Sequence, residues 1–61
     1  MTFQPGDRVR DEILGTGTVV RVKYYDFGSA FAFVRFDNEL MYAYEGDAHP
    51  RYPRQLSLVE R

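Results

Sequence analysis

The sequence predicts an all-β fold, a small five-stranded antiparallel barrel, and three observations predict it. Short β-branched and aromatic runs recur between turn signals, with no helical period of useful length. The stretch Gly15 to Val22, GTGTVVRV, couples two glycines, suited to a positive φ or a tight bend, to a β-branched run that favours an extended strand. Finally, the 61 residues include five Phe and five Tyr but no cysteine. Rings must therefore stabilise a small core that in other short chains is reinforced by disulfides or metal.

In chain order, Gln4-Pro5-Gly6-Asp7 is a turn, because Pro-Gly is a turn dipeptide. Arg8-Val9-Arg10 then alternates polar and apolar, as a half-buried first strand does. Asp11-Glu12 ends it, Ile13-Leu14 is expected to tuck a loop against the barrel end, and Gly15-Thr16-Gly17 turns into strand two, Thr18 to Tyr25. Asp26 to Ala30 contains Gly28 and is short, so strands two and three pair as an antiparallel hairpin. Strand three, Phe31 to Asp37, sets Ala32, Val34 and Phe36 on one face and Phe31, Phe33 and Arg35 on the other. The face without the arginine is the core candidate.

Asp37-Asn38-Glu39 turns the chain into strand four, Leu40 to Tyr44, whose two faces are both apolar or aromatic, so its inward side stays open. Glu45 to Tyr52 reads as a loop, Pro53-Arg54-Gln55 as one 3₁₀ turn, and Leu56 to Val59 as strand five. With no linker, repeat or low-complexity tract, residues 1–61 are expected to form one domain.

Eight basic residues against nine acidic give a net charge of −1, which argues against a general nucleic-acid coat protein; any nucleic-acid contact has to be local. No apolar run approaches the ~20 residues that span a bilayer, and the first residues lack a leader pattern, so a cytoplasmic protein without a membrane partner is expected. His49 is the only histidine, and no cofactor or metal is expected. The carboxylates Asp11, Glu12, Asp37 and Glu39 sit in turn-like contexts, and Ser29 and Ser57 lack a triad setting. The glycines of GTG lead into a strand, whereas a phosphate loop opens a helix. A noncatalytic protein is expected.

The succession PGDRVR, GTGTVVRV, FVRFDN and LSLVE resembles the small SH3-like barrels of the KOW and Tudor type. It is most similar in pattern to the polymerase-interacting barrel of bacterial transcription-coupled repair factors and to the C-terminal Tudor-like barrel of bacterial superfamily I helicases. The carrying residues are Gly6-Asp7 with Val9, and Gly15, Gly17 and Val19, and the likeness spans nearly the whole chain. It implies a protein-binding module in bacterial transcription or repair, with RNA polymerase as a candidate partner; a phage origin is suggested by the size alone. The size suggests an accessory or regulatory factor.

If Val20 and Val22 point inward beside Val34 and Phe36, alternation sends Arg21, Lys23 and Tyr25 outward with Phe31, Phe33 and Arg35. Tyr25 then lies near Phe31, Lys23 near Phe33, and Arg21 near Arg35. A bulge after Gly17 shifts this register and inverts the assignment, and both registers stay open. These six residues are the candidate partner-binding face, with rings as anchors and cations matched to an acidic protein. The alternative is nucleic acid, its bases stacked on the rings and its phosphates held by the cations. A methylammonium cage of Tyr24, Tyr25, Tyr42 and Tyr44 is a third reading. Monomer and weak homodimer are equally compatible with the sequence.

Overall fold

The computed structural model describes residues 3–25, 30–38 and 48–61. The described residues form an all-β structure with β1 Arg8–Asp11, β2 Gly15–Tyr24, β3 Ala30–Phe36, β4 His49–Arg51 and β5 Leu56–Glu60, and a 3₁₀ turn, Pro53–Gln55, before β5. All pairings are antiparallel, in one sheet of order β4-β3-β2-β1-β5. Among these residues no helix is long and apolar enough to cross a membrane.

Among the described residues the sheet is open, since β4 and β5 each have one neighbour there, yet it is strongly curled. β4 and β5 lie at opposite ends of the sheet, but only residues 52–55 separate them in the chain. Arg51 of β4 also reaches Asp11 of β1, with Nε 2.7 Å from Oδ2. A flat sheet would hold those two strands about 14 Å apart. The concave side holds the core, formed by Phe3, Val9, Val19, Ala32, Val34, Phe36 and Leu56, with Leu14, Val22 and Leu58 packed against it.

The first turn follows its chemistry. Asp7 donates its N–H to the Gln4 carbonyl at 3.1 Å, and Gly6, between them, has φ 96°, which suits a type II turn with Pro5 ahead of it. The buried Asp7 carboxylate accepts the Gln4 amide at 2.9 Å, while Gly6 and Asp7 exchange backbone bonds with Val19. Asp11 closes the β1–β2 hairpin in the same way. Its Oδ1 accepts the amides of Ile13 at 2.8 Å and Leu14 at 2.9 Å, and Gly15 follows with φ 89°.

The two glycines of GTG thus have different duties. Gly15 supplies the positive φ. Gly17 lies between β1 and β3, opposite Val9 and Phe36, where an added Cβ would meet the Arg35 carbonyl oxygen at 2.6 Å and the Phe36 Cα at 2.9 Å.

Several expectations are corrected. β2 begins at Gly15 and not Thr18, and β1 extends to Asp11, because Asp11 pairs with Gly15 across the hairpin. Ile13 does not tuck against the sheet end; it stands 82% exposed at the hairpin tip, and Leu14 packs inward instead. His49–Arg51, within the expected loop, is a strand on β3, and Pro50 is tolerated there because β4 is an edge among the described strands. The expected strand Leu40 to Tyr44 lies outside the described residues. Val20 is not an inward residue. Val19 is buried opposite Val34, a bulge falls between Val19 and Arg21, and Val22 regains the inner face opposite Ala32.

The buried carboxylates set a pH dependence. Burial raises the Asp11 pKa, but the Leu14 and Ile13 amides and the Arg51 guanidinium outweigh it, so the net shift is downward. The Gln4 amide lowers the Asp7 pKa against burial, and Arg61 adds to the lowering. A carboxyl with a depressed folded pKa contributes stability that is fully present above its unfolded value of about 4. That contribution is lost as pH falls through the folded value. Thermal melts should therefore be flat in these terms from pH 7 to about pH 5 and should fall below about pH 4, and replacing both aspartates by asparagine should flatten the acid limb.

Candidate partner-binding face

The convex side of β2 and β3 carries the predicted residues. Because Val19 and Val22 face inward on either side of the bulge, Arg21 and Lys23 face outward, opposite Phe33 and Phe31. The expected pairings are corrected by two positions, because the hairpin closes with Tyr24 opposite Ala30 and not with Tyr25 opposite Phe31: Arg21 sits across from Phe33 and not Arg35, and Lys23 across from Phe31 and not Phe33. Arg35 lies opposite Thr18, so no arginine opposes another there. All of Arg21, Lys23, Phe31, Phe33 and Arg35 share the convex face, as expected, and Tyr25 joins them through its ring.

The rings and cations interlock. The Arg21 guanidinium lies 4.2 Å from the Phe33 ring centroid, and Lys23 Nζ lies 5.9 Å from that of Tyr25. Tyr25 meets Phe31 edge-on at 5.5 Å between centroids. Phe31 also packs against Tyr52 at 4.7 Å, and the Arg54 guanidinium lies 4.7 Å from the Tyr52 ring. Tyr52 and Arg54 extend the face and were missed by sequence reasoning. They come from the turn after β4, and only the curl of the sheet brings them to Phe31. Their one sequence signal was the Tyr-Pro-Arg run at the 3₁₀ turn, which marks a turn but not its neighbour.

Charge is distributed unevenly among the eight basic residues, all of which are described. Three are committed to structure. Arg8 bonds Asp37 in a fork at 2.7 and 3.1 Å and the Thr18 hydroxyl at 2.7 Å, Arg51 bonds Asp11, and Arg61 approaches Asp7 at 3.4 Å. The Arg8 contact lowers the Asp37 pKa and raises that of Arg8. Arg10, Arg21, Lys23, Arg35 and Arg54 have no described carboxylate within ion-pairing distance. Of these, Arg10, Arg21, Lys23 and Arg35 lie on the convex face by register, and Arg54 adjoins it through Tyr52.

Other candidates fall away from this face. Tyr24 pairs with Ala30 on the side of Val22, so it does not share a cage with Tyr25; Tyr42 and Tyr44 lie outside the described residues. An open groove of about 550 Å³ beside β5 is lined by Phe3, Pro53, Leu56, Ser57 and Leu58, with Arg54 its one charged residue. Among the described residues no three His, Asp or Glu side chains gather as metal ligands. Compared with known proteins, the chain matches no family model, no curated protein and no solved structure.

Proposed function

We propose that this chain is a noncatalytic protein-binding module, an accessory or regulatory factor of bacterial or phage transcription or repair, whose contact is the convex β2–β3 face. One observation carries the reading: cations without described carboxylate partners lie on or beside a linked set of rings. Phe33 has Arg21 over it, and Tyr52 contacts both Phe31 and Arg54. Such a surface offers charge and apolar area to a partner, as protein interfaces with Arg and Tyr anchors do. A noncatalytic role is supported by Asp7, Asp11 and Asp37, whose carboxylates are engaged by turn amides and arginines.

The SH3-like assignment, of the KOW or Tudor type, belongs to the same proposal. The five-stranded antiparallel sheet, its curl and the 3₁₀ turn before β5 support it. The alternative, direct nucleic-acid binding, draws on the same cations without described carboxylate partners and on the exposed Tyr25 and Tyr52 rings as stacking surface.

The test is capture of purified bacterial RNA polymerase core by the immobilised protein. Wild type is expected to retain it, and the double variant Arg21→Glu, Lys23→Glu to lose at least tenfold. Failure to bind polymerase, together with binding of single-stranded DNA that weakens steeply with salt, would establish the alternative.

A further inference from the structure

We infer that the segment this face receives is an extended acidic one whose carboxylates emerge on one side at alternate positions. The inference rests on reading the face as a protein interface, and it specifies the chemistry of the occupant.

The argument begins with the bulge. Past it, β2 presents Arg21 and Lys23 on the same side, two residues and therefore about 6.8 Å apart along the strand. An extended ligand laid along β2 repeats that period, so carboxylates at alternate positions face both cations together. Adjacent carboxylates project to opposite sides, and one of the two faces solvent.

Charge complementarity selects the sign. Arg10, Arg21, Lys23, Arg35 and Arg54 lack a described carboxylate, whereas Arg8, Arg51 and Arg61 each have one. The rings bear on the class. Phe33 lies beneath Arg21 and Phe31 contacts both Tyr25 and Tyr52, so a base would find stacking surface at Tyr25 and Tyr52, 45% and 43% exposed, and less at the two phenylalanines. Carboxylates need no such surface.

The rings also prepare the cations. A guanidinium resting on Phe33 has already given up part of its rotamer freedom, so less is lost when a carboxylate arrives. Phe33 is therefore a positioning residue for Arg21.

The experiment is an amide-shift titration of the labelled protein with three probes. They are the blocked peptide Ser-Thr-Glu-Thr-Glu-Thr-Ser, its isomer Ser-Thr-Glu-Glu-Thr-Thr-Ser, and a short oligothymidylate. The alternating peptide is expected to shift Arg21, Lys23, Phe31 and Phe33, and the isomer to bind about fivefold more weakly, the effect of one exposed ion pair lost. Phe33→Leu, which keeps every charge, should weaken the alternating peptide about threefold. Equal binding of the two peptides would overturn the alternation while leaving the protein interface standing. Oligothymidylate binding in place of both peptides would overturn the interface reading itself. No shift with any probe would overturn the inference.

Discussion

Gly17→Ala is expected to lower stability by about 3 kcal/mol, at the upper end of what overpacking costs. The new methyl group would meet the Arg35 carbonyl oxygen at 2.6 Å, the Val34 Cγ1 at 2.8 Å and the Phe36 Cα at 2.9 Å. A side chain can rotate away, but the Arg35 and Phe36 contacts are with the backbone of a strand whose Val34 and Phe36 are fully buried. Relief therefore means moving β3 off β2, at the pair that places the convex face. A domain of this size rarely has more than roughly 3–5 kcal/mol in hand, so the variant should keep at most about 2 kcal/mol and melt far below the wild type by circular dichroism. Gly15→Ala is the control. Nothing lies within 4 Å of its Cβ position, and the φ of 89° should cost only about 1 kcal/mol. Equal melting temperatures for the two variants would mean that the strands do not approach as described.

Asp11→Ala should be as damaging, about 3 kcal/mol or more, because three donors lose their acceptor together. The Ile13 and Leu14 amides are left open, and Arg51, with its side chain only 20% exposed, keeps its charge without a partner. The hairpin and the contact between the two arms of the curl would fail at once. Asp11→Asn retains an oxygen for the two amides and should lose less. Replacing both members, Asp11→Ala with Arg51→Met, should recover part of the loss, since removing a buried pair whole leaves no orphaned charge. Urea midpoints of the three variants and the wild type separate these terms; a double variant worse than Asp11→Ala alone would show that Arg51 acts through packing and not through its charge.

Strand three was the most legible part of the sequence, because a strict alternation admits one inner face: Ala32, Val34 and Phe36 are all buried. From that face followed the convex position of Phe31, Phe33 and Arg35. Strand two was legible in existence but not in its start, which lies at Gly15 and not Thr18, nor in register. Its run of Val19, Val20 and Val22 fits the core in either phase, and only a bulge decides which valines go inside. Arg21 and Lys23 were placed on the correct side while their partners were misassigned because the hairpin closes at Tyr24 and Ala30, which shifts every expected pairing by two positions and so keeps the parity.

His49–Arg51 was illegible as a strand because proline and charge mark loops. An edge strand tolerates both. Asp11 was expected to serve a turn, and it does. Its second bond, to an arginine 40 positions away, depends on a curl that no local pattern encodes. Tyr52 and Arg54 escaped for the same reason.

The account stands on the register past the bulge, and the most direct test is a nuclear Overhauser spectrum of the labelled protein. It predicts contacts between the Arg21 side chain and the Phe33 ring, ring-current shifts of the Arg21 side-chain protons, and backbone contacts pairing Lys23 with Phe31. Contacts instead between Arg21 and Arg35, with Lys23 beside Phe33, would contradict it, for Arg21 would then leave the Phe33 ring and lie against a like charge.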